Sequence, residues 1–319
     1  MPRYATYATP RLDLGEAMYE YLATQDMYIG IKAAVVSPID RAAGTFSKLT
    51  RESFLRRRDV KRAAGGGYNR DTADYEDQSY ACYEYGLEGM VDDSDRKRYQ
   101  NDFNADMDTT QTVLHALLRE QEIRWATALF NTSTWTGATL YTDHSGSNPW
   151  TTTSTDVVAQ INAAKEKVLA LTAIEPRTLI LNRYVLDLLA NNDDMVARVM
   201  YTARAGHSAV ASALADLLDL DQILVGRATY NSADEGSTFS SSKVWADNYA
   251  MLAVTAPDGV NLKMPCVART MLWTEDSGSN VVVEQYREES RRSDAFRVRQ
   301  NVDELVIDAS YAHLLKVVA

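Results

Sequence analysis

The sequence predicts an α+β protein, with a long amphipathic helix, a central helix–sheet region and a β-rich C-terminal third. Three patterns carry that expectation. Across residues 105–130, Val113, Leu114, Leu117, Leu118, Trp125, Ala128 and Leu129 fall on one helical face. Thr178-Leu179-Ile180-Leu181-Asn182 is a short continuous apolar run, the mark of a buried strand, and a helical pattern follows it from Tyr184 to Ala190. From Gln222 onward, short strand-like runs replace helical periodicity.

Residues 1–50 hold little periodic structure. A short amphipathic piece is expected from Leu14 to Leu22, and Val35-Val36-Ser37-Pro38 reads as extended because Pro38 keeps Ser37 out of the helical region. The segment reads as an arm that needs something else to lie on.

Residues 51–95 read as one long, charge-polarised hairpin. Its first leg carries Arg51, Arg56, Arg57, Arg58, Lys61 and Arg62 against only Glu52 and Asp59. Its second leg, Asp71 to Asp95, carries nine carboxylates and no Lys or Arg. Between them Gly65-Gly66-Gly67 gives a tip free to adopt backbone angles closed to other residues. Such a loop can pair its own charges, leg to leg, or lie across a neighbouring copy with opposite sign to opposite sign.

The helix over 105–130 has Asp106 and Asp108 in its first turn, where the helix dipole favours negative charge, and would be about 38 Å long. Gly137 is compatible with its stop, and Ile123 and Phe130 lie off the main face, available to a contact between subunits. A second helix starts at the Ser154-Thr155-Asp156 cap, runs through Val157, Ile161, Ala164, Val168 and Leu171, and ends before Pro176. After the 178–182 strand and its helix, a polar break at Asn191–Asp194 leads into helical segments to Ala203 and, past a Gly206-His207 loop, over 210–220. Strands are expected at 222–227, 249–254, 268–273, 281–287, 296–302 and 305–307. A Ser-rich stretch, 231–242, separates the first two, and a charged turn lies at 288–294.

At 319 residues the chain is long enough for about two domains with a large core. Its 18 tyrosines against 6 phenylalanines suit surfaces that become buried on association, since tyrosine offers apolar area with a polar handle. A net charge of −11 and a pI near 4.9 exclude a general nucleic-acid binder, while an acidic wall can enclose nucleic acid without adhering to it. Cys82 and Cys266 lie far apart without paired spacing, which favours reduced thiols and assembly in a cytoplasm. No apolar run approaches a membrane span, and the first residues lack the design of a signal peptide, so a soluble, non-secreted protein is expected.

The common catalytic and metal patterns do not occur: no phosphate loop, H-E-x-x-H, C-x-x-C or G-x-S-x-G. The four histidines, His115, His144, His207 and His313, stand singly; His115, at the edge of the long helix's apolar face, reads as structural, and Asp143-His144-Ser145 reads as a turn rather than a triad. Asp92, Asp93 and Asp95 lack calcium-loop spacing and read as a solvated acidic run. Arg56-Arg57-Arg58 and Arg291-Arg292 each lie near carboxylates (Asp59; Glu288, Glu289 and Asp294), which favours ion pairs within or between proteins.

Four stretches carry a family resemblance: Thr178–Leu189, Leu214–Asn231 with its Gly226-Arg227-Ala228-Thr229-Tyr230-Asn231 turn, Val244–Leu252, and Tyr286–Asp294. In this order the chain resembles the major capsid proteins of tailed bacteriophages, with their Hong Kong 97-like fold. The resemblance implies an N-terminal arm (1–50), an extended loop (51–95), a peripheral domain (96–155 and 281–319) with a spine helix at 105–130, and an axial domain (156–280). It implies a non-enzymatic shell subunit with neither cofactor nor metal, assembled in a host cytoplasm and resident in the virion. Its partners would be copies of itself in hexamers and pentamers, a separate scaffold protein, a portal and a decoration protein, around DNA that is enclosed without sequence-specific binding, and no membrane.

Intersubunit contact is then expected at Arg56, Arg57, Arg58, Lys61, Arg62, Tyr75, Tyr80, Tyr83 and Tyr85. Intersubunit or hairpin ion pairs are expected at Glu288, Glu289, Arg291, Arg292 and Asp294. Two features depart from the better-known pattern. No scaffold-like segment precedes the arm, so either a separate scaffold acts or the chain is already processed. Lys61 is the only lysine near the loop tip, with no asparagine identified as a crosslinking partner. The alternatives are an encapsulin-type compartment, against which stands the polar Arg3–Pro10, and a hydrolase using Asp143 and His144.

Overall fold

The computed structural model describes residues 9–10, 27–62, 64–99, 104–199, 207–276 and 280–319. The helix expected at Leu14–Leu22, the helical extension beyond Val199 to Ala203, and Gly206 lie outside the described residues. In chain order the strands are β1 (Thr9–Pro10), β2 (Val36–Ile39), β3 (Ala43–Leu49), β4 (Tyr75–Ala81), β5 (Tyr83–Asp92), β6 (Tyr141–Asp143), β7 (Thr178–Asn182) and β8 (Gln222–Gly226). They continue as β9 (Thr229–Asn231), β10 (Ser241–Lys243), β11 (Tyr249–Ala253), β12 (Ala268–Trp273), β13 (Val282–Glu288), β14 (Ser293–Val306) and β15 (Ala312–Lys316). The helices are α1 (Gly30–Ala33), α2 (Arg51–Leu55), α3 (Asp93–Tyr99), α4 (Ala105–Leu129), α5 (Val157–Thr172), α6 (Arg183–Ala190), α7 (Asp193–Val199) and α8 (His207–Leu217).

Two sheets organise these elements. The first runs β1-β13-β14-β12-β2, with β5 on the other edge of β14; the second runs β6-β15-β11-β7-β8. The ribbons β3-β4 and β9-β10 stand apart from both.

The spine helix α4 joins the sheets because its apolar stripe is long enough to enter two cores. Asn104 opens it by accepting from the Asp106 and Met107 N–H groups. Val113, Leu114, Leu117 and Leu118 then pack with Val283, Phe296 and Val298 of the first sheet. Two turns later Trp125 and Leu129 enter a second core with Met251, Leu314 and Trp245. Gln121 and Glu122, inside the stripe, are buried as well.

Two of the family-like stretches meet in the second sheet. Asn182 ends β7 and caps α6, its side chain accepting from Val185 N at 2.9 Å while its amide donates to the Trp245 carbonyl at 3.1 Å. Gly226 ends β8 directly beneath Trp245, where an added Cβ would lie 2.3 Å from the indole. Only glycine fits there.

Several expectations need correction. Residues 51–95 are not one loop. The extended part is 50–74, carried on β3 and β4, whereas β5 is built into the first sheet opposite residues 293–302 of β14. The local reason is Gly89, whose missing side chain lets Thr109 and Val113 of the spine helix close on β5. The strands expected at 296–302 and 305–307 are one strand, β14. The sheets also cross the expected division at 280/281. β15 pairs with β11 in the second sheet, and β12 pairs with β14 and β2 in the first. The part of the arm that is described lies on its own chain, with Ile29, Ala33 and Ala34 buried and β2 parallel to β12.

Candidate assembly surface

The extended hairpin rises from a regular base. β3 and β4 pair from Ala43↔Ala81 to Leu49↔Tyr75, and Thr50 N donates to the Asp74 carbonyl at 3.1 Å to close the ladder. Beyond that bond the chain has only the single turn of α2, capped by Thr50, before a long irregular excursion. Charges then match across the loop. Arg56 reaches Asp74 at 3.2 Å, Arg58 meets Asp71, and Lys48 lies 3.4 Å from Glu76. The Arg58 guanidinium holds the Asp71 carboxyl below its ordinary range. Arg62 donates to the Gly66 carbonyl at 2.6 Å and lies over the Tyr68 ring at 4.6 Å.

The expected contact residues therefore divide. Arg56 and Arg58 are paired within the hairpin, as the internal reading requires, while Arg57 and Lys61 have no ion-pair partner among the described residues. Tyr75 and Tyr83 are exposed. Tyr80 packs against Phe46 with centroids 6.5 Å apart, and Tyr85 lies 3.9 Å beneath Arg124, itself clamped by Glu304 at 2.6 and 2.7 Å. Sequence reading missed the apolar content of this loop: Phe54, Leu55 and Val60 are exposed, Val60 to 90%. Large apolar side chains left exposed along a stalk mark a contact surface.

The second charged hairpin, between β13 and β14, behaves differently. Arg291 pairs with Glu288 and Glu289 with Arg287, both at 3.3 Å and both at the surface. Asp294 instead turns inward and takes Arg96 at 2.7 Å and Arg287 at 3.3 Å. Arg287 also grips Asp93, and Arg96 grips Asp106, each at 2.7 Å. Three segments are tied together: the hairpin, α3 through its start and its middle, and the first turn of the spine helix. Arg287 holds the Asp93 carboxyl below its ordinary range. Arg292 takes a left-handed φ of 49° in the turn.

A further ladder crosses the outward face of the same sheet, Glu88–Arg297 at 2.7 Å, Arg297–Glu284 at 3.4 Å and Arg299–Glu284 at 2.9 Å. The alternation of Arg297 with Arg299 along β14 is the sequence signal for it.

Glu122, also missed, joins three segments. Its buried carboxylate accepts from Ile29 N at 2.8 Å, Gly30 N at 2.7 Å and Trp245 Nε1 at 2.6 Å, and burial pushes its pKa up. Gly30 is needed because an added Cβ would stand 2.8 Å from that carboxylate. An acid next to Gln121 inside an apolar stripe was the available signal.

Catalytic geometry does not form at Asp143-His144-Ser145. Asp143 takes the Ser145 hydroxyl directly at 2.6 Å, with the His144 ring in neither partner's bond. Burial pushes the Cys82 thiol up to about 11 and raises Cys266 as well, so neither is an activated nucleophile. Among the described residues no group of three His, Cys, Asp or Glu side chains is placed to hold a metal.

No protein-family model matches the chain. A curated relative, a major capsid protein of Pseudomonas phage JBD67, is 22% identical over 176 residues, which make up 55% of each protein. The chain thus spans about half the length of the curated relative it matches. Among solved structures, a phage-related protein of Bordetella bronchiseptica RB50 superposes with a TM-score of 0.73 at 20% identity, covering 97% of this chain and 98% of that one. The capsid of cyanophage P-SCSP1u gives 0.58 at 11% identity over 89% and 86%. The SrpI encapsulin of Synechococcus elongatus PCC 7942 gives 0.51 at 9% over 90% and 86%. The fold is the Hong Kong 97-like fold.

Proposed function

We propose that this chain is a major capsid protein that self-assembles, as hexamers and pentamers, into an icosahedral shell around double-stranded viral DNA. The observation that carries the reading is the extended hairpin. It exposes Phe54, Leu55, Val60, Tyr68 and Tyr75 together with the unmatched cations Arg57 and Lys61, and it buries almost nothing of its own. A stalk of this composition gains its free energy from a second copy, where apolar burial and charge pairing act together. The curated relative and the fold both support the same reading.

In this reading the subunit resides in the virion capsid after assembly in the host cytoplasm, and a separate scaffold protein, a portal and a decoration protein are its further partners. The acidic balance of the chain keeps the packaged DNA confined by repulsion, so the free protein is expected to show no salt-sensitive affinity for duplex DNA in a titration at low ionic strength.

The decisive variant is Arg57→Glu with Lys61→Glu, since neither cation has an ion-pair partner to lose among the described residues. Soluble, folded subunits that no longer sediment as shells are expected. Ordinary shells in electron micrographs of this variant would overturn the role given to the hairpin. A second reading, a compartment around enzyme cargo, draws on the similarity to the encapsulin. Protein rather than DNA inside purified shells would establish it in place of the first.

A further inference from the structure

A cavity of about 260 Å³ opens at the root of the extended hairpin. Phe54, Leu262, Met264 and Tyr311 give it apolar walls, and Lys48, Arg51 and Lys263 stand among them against the single carboxylate of Asp308. Lys48 and Arg51 lean on Glu76 and Glu52, and Asp308 is occupied with Ser310 N, whereas Lys263 has no ion-pair partner among the described residues. The wall at 262–264 is fixed in place. The fully buried Arg269 donates to the carbonyls of Asn261 at 2.8 Å and Met264 at 3.2 Å, and to Ser37 Oγ at 3.0 Å. A preformed apolar cleft with a basic rim calls for an apolar group flanked by carboxylates.

The chain presents such a group elsewhere. Among the described residues the β9–β10 ribbon pairs only with itself, and its tip carries Phe239, 70% exposed, together with Asp234 and Glu235, which have no ion-pair partner there. The ring has room to enter, because a cavity of about 150 Å³ already accepts benzene. Cleft and ribbon also lie at opposite ends of the second sheet. Ile174, on the cleft wall, precedes the start of β7, while the ribbon follows the end of β8, which runs parallel to β7. Five residues of strand put roughly 17 Å between the two ends.

We infer that the Phe239 tip of one copy seats in the Phe54–Met264 cleft of the next. Complementary features at opposite ends of one sheet make a head-to-tail contact, the heterologous kind, which forms a ring when its rotation closes and a filament when it does not. The inference rests on the shell reading and names a ring contact at the root of the extended loop, distinct from the contact made by Arg57 and Lys61.

The test places Phe239→Cys and Phe54→Cys in one chain and runs mildly oxidised shells on a non-reducing gel. A ladder of covalent oligomers, collapsed by reductant, is expected from the double variant and from neither single one. A monomer band from fully formed shells overturns the docking and leaves the shell reading standing. Failure of the unmodified chain to form shells under any condition, scaffold included, removes the shell reading and the docking with it. Where the cysteine pair blocks assembly, Phe239→Ser decides. This exposed change is expected to lower the assembled fraction about tenfold without moving the thermal unfolding of the subunit. Unchanged assembly overturns the docking.

Discussion

Two hairpins in this molecule look alike in sequence, each packing Arg against Glu and Asp, and they have opposite fates. In the extended hairpin Arg56 and Asp74 meet at 3.2 Å with both side chains about half exposed, 53% each. At the β13–β14 hairpin Asp294 is only 14% exposed and joins Arg287 across its own hairpin to Arg96 from α3. An exposed pair between neighbouring legs is cheap to break and cheap to exchange for another partner. A largely buried carboxylate that ties its own strand to a distant helix is neither, because its loss takes a shared partner from both Arg96 and Arg287. Charge density alone does not say which surface is free to bind. The number of chain segments converging on each charge does.

The comparison is tested hardest at Asp294. Asp294→Ala is expected to cost about 2–3 kcal/mol of subunit stability, read as a lower thermal or denaturant midpoint; a loss below about 0.5 kcal/mol would place this hairpin with the other. Acid gives a second contrast. Arg287 lowers the pKa of Asp93, so its contribution is complete above the ordinary carboxylate value of 3.8 and is lost as pH falls through the lowered one. Glu122 has the reverse sign. Its pKa is raised from 4.5, so its contribution is present below 4.5 and disappears as pH rises through the raised value. Hydrogen exchange from pH 5 to 2.5 should therefore loosen α3 before the 29–34 segment, and simultaneous loosening would break the distinction. Replacing Arg292, at φ 49°, by glycine removes backbone strain and is expected to raise stability by up to about 1 kcal/mol in the same melts. The smallest effect belongs to Arg58→Ala, within about 1 kcal/mol for the subunit; a larger drop would mean that the extended hairpin is anchored after all.

The spine helix was legible almost to the residue, 105–130 expected against Ala105–Leu129, because its apolar period is local and long. The β7–α6 unit was equally plain, since Asn182 is both the strand's end and the helix's cap. β5 was not. Glu84, Glu88 and Asp92 make it read as part of an acidic loop, and Arg297, which neutralises Glu88, lies 209 residues away. The placement of β12 and β15 failed for the same reason: strand partners are fixed by long-range pairing, and a short strand carries no mark of which sheet it joins. At the candidate surface the charges were readable, but their division into paired and unpaired was not. Arg56, Arg57 and Arg58 are identical in sequence terms, and only the loop's fold sends the first and third to Asp74 and Asp71.

β14 has a mechanical consequence. Its 14 residues bond to β13 and β5 on both edges over the first half and to β12 over the last. A pull on any one of those partners is shared by the other two, so the strand works as a tie-beam through the first sheet. Its central amides, around Val298, should exchange with solvent only when the whole subunit opens. A wall built from such parts would yield at its joints before its bricks deform.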